Sequence, residues 1–240
     1  ILNNKWPRCQ EGDFFKYPAS MTAWDPVKQE LAWSIPQETF WNGGTLTTAS
    51  NLLFQGRSDG KLLAYDAKTG EVLWTKNLGL GISSPPITYK INGKQYVSVL
   101  VGFGGGYAAI GGQEAYELGW SYKTHVRRLV TFSLEGSGQM PDLPPPHFPK
   151  PLVDPDWKID KDLASRGAQE IGKCTGCHGW GVYSAGMAPD LRASSIPLEF
   201  SSFKDIVKEG SRNALGMPAF PDMSDEQLEA LQHYIRYRAK

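Results

Sequence analysis

Two cysteines and a histidine stand close enough together in this sequence to form one chemical site. They lie in the run Cys174-Thr175-Gly176-Cys177-His178, which has the pattern C-x-x-C-H. In this pattern each thiol can add to one vinyl group of a haem, and the histidine that follows then lies under the iron. The thioether bonds are permanent, and the imidazole supplies a nitrogen to the metal. The run therefore predicts a covalently bound c-type haem, which carries single electrons.

Two other kinds of site use a similar cysteine pair. A structural zinc centre would require a second Cys/His pair, and no further cysteine follows Cys177. A redox-active C-x-x-C of the thioredoxin type would require a βαβ pattern around it, which is absent here. Both alternatives are therefore less favoured than haem. The third cysteine, Cys9, is interpreted as an unpaired thiol or one whose partner lies upstream.

The other face of a c-type haem commonly takes a methionine sulfur, which raises the reduction potential. Three methionines follow the histidine, namely Met187, Met217 and Met223. Met217 stands between Gly216 and Pro218, so we expect it in a turn from which its side chain can be aimed at the iron. Met187 is close to the histidine in sequence, and Met223 precedes the last helix. We therefore predict Met217 as the second iron ligand and the other two as ordinary packing residues.

The elements around this motif have a helical pattern. Small and apolar residues recur every fourth position in 161–172, which predicts a helix. A second helix is predicted from Ser202, with Asp205 as its capping-box partner, to Gly210. A third is predicted from Ser224, with Gln227 in the same relation, to the end of the sequence. Residues 156–240 are accordingly predicted to form an all-α domain.

Residues 136–155 separate this domain from a different composition upstream. Six of the sixteen residues in 136–151 are proline, which excludes helix interiors and sheet ladders. The stretch is predicted to be a semi-rigid linker, with an ordered surface loop as an equally acceptable interpretation. A domain boundary belongs here in either case.

The first 135 residues contain a repeated pattern. Residues 23–33 align with 64–74 at an offset of 41 positions, with Ala, Asp and Trp matching. A period of about 40–50 residues in strands and turns is typical of β-propeller blades. Asp66 and Gly70 are predicted to bracket a tight turn between two strands. The repeated Trp is expected to pack between blades, although two similar hairpins can also arise by chance.

Composition excludes several classes of function. The sequence has 240 residues, of which 40% are hydrophobic, and 25 basic side chains balance 25 acidic ones. This balance gives no reason to expect nucleic acid as a partner. No apolar run approaches the roughly 18 residues of a membrane span. The sequence begins without a methionine and without a leader pattern, so we expect either a removed leader or part of a longer polypeptide.

Residues 156–240 resemble a small class I cytochrome c domain. The segment Met187-Ala188-Pro189-Asp190-Leu191 is similar to the Gly-Pro-x-Leu segment of that class, with Ala188 in place of the glycine. The resemblance implies that the Pro189 carbonyl accepts a hydrogen bond from the haem-ligating histidine. An ordinary turn proline is the alternative interpretation.

The chain as a whole resembles the C-terminal part of a quinohaemoprotein alcohol dehydrogenase. The resemblance is carried by residues 40–48, by the two Trp-containing repeats on either side of them, and by residues 86–105, all of which precede the haem motif. It implies the end of an eight-bladed propeller that holds pyrroloquinoline quinone (PQQ) and calcium, followed by the cytochrome domain. Too few residues precede the linker for eight blades, so the chain is expected to be a fragment or one subunit of a split enzyme.

The same resemblance implies particular contacts with PQQ. Trp41 and Asn42 fall where the family contacts the quinone, and Phe103 falls in a Gly-rich loop near it. Asn42 could instead be a turn residue, and Phe103 could belong to an ordinary blade-end turn. The calcium ligands and the catalytic aspartate are expected upstream of this sequence, so no catalytic residue is assigned here.

The implied function is the oxidation of an alcohol substrate, with electrons leaving the quinone through haem c. The external acceptor would be a protein such as a soluble cytochrome or a blue-copper protein. The resemblance and the assembly of haem c outside the cytoplasm imply a periplasmic location. The alternative is an electron-transfer cytochrome whose propeller remnant only docks a partner.

Overall fold

The computed structural model describes residues 19–39, 41–102, 109–184 and 186–240. These residues form two compact units. The first consists of the described residues of 1–107, 117–120 and 125–146. The second consists of those of 108–116, 121–124 and 147–240. Two short segments before the Pro-rich stretch therefore belong to the same unit as the C-x-x-C-H motif.

The first unit is built from antiparallel strands in three small sheets. The first sheet pairs β1 (Ala19–Asp25) with β2 (Glu30–Gln37). The second contains β3 (Thr45–Thr47), β4 (Leu52–Gly56), β5 (Lys61–Asp66) and β6 (Val72–Asn77) in that order. The third contains β7 (Ile87–Ile91), β8 (Lys94–Val101) and β9 (Arg128–Ser133). An apolar core cluster of the first unit is formed by Leu62, Leu78, Leu80, Ile82, Val99, Val101 and Val130.

The repeat predicted from the sequence is present in the local geometry. The carboxylate of Asp66 accepts hydrogen bonds from the backbone N–H groups of Lys68 and Thr69, at 2.7 and 3.1 Å. Asp25 makes the equivalent bonds one repeat earlier, at 2.9 and 3.0 Å. Both strands that lead into these turns also change register two residues before the aspartate. Two hairpins that share a turn and a bulge are structural repeats rather than a chance likeness in sequence.

The repeated tryptophans differ in their surroundings. The Trp33 indole N–H donates to the Ala67 carbonyl at 3.0 Å, and its ring lies against Gly70 in the turn of the next repeat. This is the packing between repeats that the sequence predicts. Trp74 is 40% exposed and touches Phe132 edge-on, with ring centroids 5.5 Å apart. Trp74 therefore also contacts a strand of another sheet, but it is more exposed than Trp33.

The second unit is helical. Its helices are α1 (Gly112–Glu117), α2 (Lys161–Glu170), α3 (Gly172–His178), α4 (Phe200–Val207) and α5 (Asp225–Arg238). Helices α2 and α5 pack together, and the small residues Ala164 and Gly167 form the buried face of α2, as predicted. The apolar core of this unit is formed by Ile171, Val182, Phe203, Val207, Met223, Leu228, Leu231 and Ile235.

Two of the predicted helix starts have different outcomes. Ser224 and Gln227 form the predicted capping box, with the Gln227 N–H donating to the Ser224 hydroxyl and the Ser224 N–H donating to the Gln227 side chain. The start at Ser202 is wrong, because α4 begins at Phe200 behind Glu199. The Glu199 carboxylate accepts the N–H groups of Ser201 and Ser202 at 3.1 and 2.7 Å. A glutamate therefore provides the cap that was assigned to the serine.

The Pro-rich stretch is an ordered loop with neither helix nor strand. The Pro141 carbonyl accepts a hydrogen bond from the Arg128 guanidinium at 2.9 Å, and Leu143 packs against the core of the first unit. Further along, the His147 N–H donates to the Thr124 carbonyl at 2.7 Å. Each of these bonds joins a part of the stretch to the unit in which that part lies. None of the helices in the described part of the chain is long and apolar enough to cross a membrane.

Candidate haem-binding site

Helix α3 carries the whole C-x-x-C-H motif. Residues three apart on a helix lie on the same side, so Cys174 and Cys177 share a face. The helix ends directly after His178, because Gly179 adopts a φ of 76° that favours glycine. The histidine ring is thereby fixed at the helix end, where it is 8% exposed. The motif thus presents two thiols and one imidazole from a single short element.

The Cys174 thiol has no sign of redox activation. Burial raises the pKa of the Cys174 thiol to about 11, and the neighbouring Cys177 adds to this increase. A redox-active pair of the thioredoxin type has instead a lowered thiol pKa. The site therefore does not support the alternative of a disulfide oxidoreductase. Among the described residues no group of three or more His, Cys, Asp or Glu side chains is placed to hold a metal ion, so the donor set of a zinc centre is not assembled.

The His178 ring is oriented by one hydrogen bond. Its Nδ1 lies 2.8 Å from the carbonyl oxygen of Pro189. A carbonyl only accepts, so Nδ1 carries the proton and Nε2 keeps a lone pair for a metal. Burial lowers the pKa of His178, while the Pro189 carbonyl and the Asp190 charge oppose this shift. A neutral imidazole with Nε2 free is the form that binds iron. The contact is the one expected for Pro189, whose role in supporting the haem ligand stays a prediction.

The three methionines lie in different surroundings. Met217 follows Gly216, which has a φ of 91°, and its N–H donates to the Arg212 carbonyl at 3.3 Å. Its side chain is partly buried against the same core that contacts Cys174. Met223 is 3% exposed within that core, and Met187 is 62% exposed. Met217 therefore combines a turn with packing against the core that Cys174 also contacts, and its ligation of iron stays a prediction.

The surroundings of the motif fit a flat apolar group. Seven partly buried side chains pack against the core of the second unit: Cys174, Leu191, Ile196, Phe200, Met217, Phe220 and Tyr234. A haem needs an apolar surface on which its ring can rest, two thiols, and a neutral imidazole. The described residues supply each of these, so the donor set fits haem c.

The residues implied to contact PQQ lie in the first unit. Trp41 is 46% exposed and has a φ of 56°. The Asn42 amide is engaged locally: its nitrogen donates to the Gln37 side chain and the Thr39 carbonyl, and its oxygen accepts the Ser58 N–H at 3.0 Å. These bonds fix the turn before Gly43. Phe103, like Cys9, lies outside the described residues.

The sequence analysis missed a polar group behind the histidine. Asp190 and Arg192 form a buried ion pair, with exposures of 4% and 6%. Arg236 of α5 is also buried and donates to the Leu191 carbonyl at 2.7 Å and to the Leu152 carbonyl at 3.2 Å. Burial lowers the pKa of Arg236, and the Asp190 charge opposes this shift. In the sequence, the only indication of this ion pair is an acidic and a basic residue two positions apart.

Comparison with known families matches each part of the chain separately. Residues 15–97 match the PQQ family described as glucose/ethanol/alcohol dehydrogenase, beta-propeller domain. Residues 164–235 match the family described as cytochrome C oxidase, cbb3-type, subunit III. The first match covers strands of the first unit, and the second covers helices of the second unit.

Single proteins match the chain across both parts. Quinohemoprotein alcohol dehydrogenase ADH IIB of Pseudomonas putida is 38% identical over 91% of this chain and 31% of its own length. The dehydrogenase subunit of the quinone alcohol dehydrogenase of Acetobacter aceti is 38% identical over 91% of this chain and 29% of its own length. The solved structure of ADHIIG from Pseudomonas putida HK5 superimposes with a TM-score of 0.73 at 36% identity, covering 92% of this chain and 32% of that one. The resemblance predicted from the sequence is confirmed, and the chain spans about 30% of the length of these relatives.

Proposed function

We propose that this chain, which is related to the quinohaemoprotein alcohol dehydrogenases, is the electron-exit part of such an enzyme. The observation that carries the proposal is the His178–Pro189 hydrogen bond of 2.8 Å at the end of a helix that presents two thiols. This arrangement leaves Nε2 available to iron beside two points of covalent attachment. The relatives named for alcohol oxidation match both the helical unit and the sheets before it.

PQQ and haem c have different roles in the proposed reaction. When bound, PQQ supplies the two-electron oxidation of an alcohol and haem c passes the electrons on singly. The residues of this chain attach and orient: Cys174 and Cys177 form thioethers, and His178 and Met217 hold the iron. Trp41 and Asn42 are proposed to border the quinone, and Asn42 does so as a residue whose amide is already fixed by its own turn.

The first unit is proposed to be part of an eight-bladed propeller. Its largest sheet has four strands in sequence order, as a propeller blade does. The calcium ion of the complete enzyme would have its ligands upstream of this sequence. Several apolar side chains on these sheets are exposed, such as Leu100 at 60% and Leu129 at 66%. Surfaces of this kind are expected where further blades of the same protein pack.

The partners and the location follow from the same chemistry. We propose an alcohol as the substrate and a small redox protein, a soluble cytochrome or a blue-copper protein, as the electron acceptor. Thioether attachment of haem takes place outside the bacterial cytoplasm, so the periplasm is the proposed compartment.

The experiment uses the chain produced in a host that attaches haem c, and it measures the visible spectrum and the haem retained on a denaturing gel. Haem that stays attached to the denatured chain and is lost in the double variant Cys174→Ser/Cys177→Ser supports the proposal. Cys9→Ser is the matched control and should retain its haem. No covalent haem in the unaltered chain would overturn the assignment.

Addition of alcohol to the same sample and the upstream reading frame together separate the two functional alternatives. Calcium, PQQ and a panel of primary and secondary alcohols are added before dithionite. Reduction of the haem by dithionite but by no alcohol is expected of an electron-exit part that needs the rest of its enzyme. A reading frame that continues upstream into further propeller sequence would then identify the enzyme, whereas a short frame would favour the electron carrier with a docking module.

A further inference from the structure

The loop that holds the His178 acceptor is itself held by Ser184. The Ser184 hydroxyl donates to the Ala188 carbonyl at 2.6 Å, one residue before Pro189. The Ser184 N–H donates to the His178 carbonyl at 2.7 Å. Ser184 is 1% exposed and has a φ of 76°, a conformation that residues other than glycine rarely adopt. This residue therefore connects the backbone of the ligand to the backbone of its acceptor.

A segment upstream of the Pro-rich stretch completes this contact. The Tyr122 N–H donates to the Ser184 hydroxyl oxygen at 3.0 Å, across 62 residues of sequence. The Gly186 N–H also donates to this oxygen, at 3.4 Å. The hydroxyl accordingly accepts two bonds and donates one, which fixes its rotation. Residues 121–124 belong to the same compact unit as the haem motif. They contribute a backbone donor to it rather than a side chain.

The Asp190–Arg192 ion pair lies on the C-terminal side of Pro189 in the sequence, opposite to Ala188. The Arg192 side chain donates to both carboxylate oxygens of Asp190, at 3.1 and 2.7 Å, and the Arg192 N–H adds a third bond at 2.9 Å. A bidentate pair of this kind fixes both distance and angle. Because both side chains are buried, loss of one partner would leave an unpaired charge.

Aromatic rings cover the guanidinium group. The Arg192 guanidinium carbon lies 3.6 Å from the centroid of the Tyr183 ring and 4.9 Å from that of Tyr116. The Tyr116 hydroxyl donates to the Pro149 carbonyl at 3.0 Å, which fixes the position of its ring. Stacking on two rings orients the planar group and excludes water from its face. Residues on both sides of Pro189 are thus held by rigid neighbours.

We infer that the Ser184 hydroxyl and the Arg192 guanidinium hold the Pro189 carbonyl in place and thereby set the electron donation of His178 to iron. Both are positioning residues for the electron-exit site, and the inference rests on the proposed ligation of haem by His178. Partners behind a metal-bound histidine fix its ring and raise its basicity. A looser bond to Pro189 makes the imidazole a weaker donor, which favours the reduced iron and raises the reduction potential.

The main test variants remove positioning without adding charge. Ser184→Gly deletes the hydroxyl and keeps the backbone, since glycine accepts a φ of 76°. Arg192→Lys keeps the charge but loses the bidentate and stacked geometry. The matched controls are Ser201→Ala, which loses an exposed hydroxyl contact with Glu199, and Arg166→Lys on the exposed side of α2.

Two quantities are measured on the haem-containing chain. NMR gives the exchange rate of the His178 Nδ1 proton in the reduced state, and a redox titration gives the potential. In both test variants we expect the Nδ1 proton to exchange about tenfold faster. We also expect the reduction equilibrium to shift towards the reduced form by up to about tenfold, which raises the reduction potential by about 59 mV for one electron. The controls should stay within about twofold of the unaltered chain.

The outcomes separate the inference from the function on which it depends. Attached haem with unchanged exchange and potential in Ser184→Gly and Arg192→Lys would overturn the positioning role and leave the haem assignment standing. If Arg192→Lys does not fold, the pair Tyr116→Phe and Tyr116→Leu replaces it, because only the second loses the ring against the guanidinium. An unaltered chain without covalent haem would instead contradict the proposed function.

Discussion

Gly167 of α2 lies directly against the backbone carbonyl of Ala230 in α5, so that the two helices meet without a side chain between them. A Cβ atom built at Gly167 would overlap the Ala230 carbonyl group and would lie 2.8 Å from the Cβ of Tyr234. Backbone atoms in two helices cannot move aside as a flexible side chain can. The helix pair that supports the haem motif therefore depends on glycine at this position.

We expect Gly167→Ala to destabilise the helical unit by about 1–3 kcal/mol, the usual cost of inserting a methyl group into a packed core. Urea unfolding followed by helical circular dichroism measures this loss. Gly172→Ala is the matched control, because no atom lies within 4 Å of a Cβ at that position. The control should be neutral or slightly stabilising, since alanine favours helix by about 0.5–1 kcal/mol over glycine. Equal effects of the two substitutions would show that close packing is not the cause.

The parts of the fold that depend on short-range pattern were predictable from the sequence. The Asp66 turn, the Ser224 capping box and the C-x-x-C-H run each involve residues within a few positions of one another. The start of α4 was missed because the preferred capping residues are Ser, Thr, Asp and Asn, whereas Glu199 provides the cap here. Local rules rank residue types, and a longer side chain with the right backbone geometry can replace the preferred one.

The polar group behind the haem ligand was not predictable, for a different reason. The Tyr122–Ser184 bond joins residues 62 positions apart, and the ring of Tyr116 lies over the guanidinium of Arg192. Neither pair has a sequence spacing that indicates contact. The composition of residues 108–124 also resembles that of the strands before it, so no pattern there indicates that part of the segment packs with the helices.

Replacement of single methionines identifies the second iron ligand. We expect Met217→Leu to lower the reduction potential and to change the visible spectrum of the haem-containing chain, because methionine raises the potential of a c-type haem. Met223→Leu keeps its volume in the core and should cost less than about 1.5 kcal/mol without a change in potential. Met187→Leu is the exposed control. A fall in potential with Met187→Leu or Met223→Leu, and none with Met217→Leu, would move the ligand to that residue.

The Glu199 cap makes a contribution that depends on pH. Hydrogen bonds from Ser201 and Ser202 lower the pKa of Glu199 to about 2, compared with about 4.3 in an unfolded chain. Because the folded-state value is the lower one, the carboxylate stabilises the fold above about pH 5 and this contribution is lost as the pH falls towards 2. We expect the stability difference between the unaltered chain and Glu199→Gln to be constant near neutral pH and to shrink between pH 5 and about 2.

Unfolding titrations at several pH values test this expectation. Glu209→Gln is the control, because Glu209 is exposed and lies outside the cap. This variant removes an exposed carboxylate outside the cap and is measured over the same pH range. A Glu199→Gln difference that stays constant down to about pH 2 would mean that the charge of the cap is unimportant and that shape alone stabilises the helix start.

Trp33 joins two successive repeats of the first unit. Its ring lies on Gly70 and its N–H donates to Ala67, so its removal should loosen the turn of the next hairpin. Full burial of a tryptophan is worth about 3–5 kcal/mol, so for this half-buried side chain we expect Trp33→Ala to cost about 2 kcal/mol. Hydrogen exchange of the β5 and β6 amides measures the effect locally. Trp24→Ala, at a side chain 59% exposed, is the control and should leave those amides unchanged. Equal protection in both variants would mean that the repeats are held by their core alone and not by the tryptophan between them.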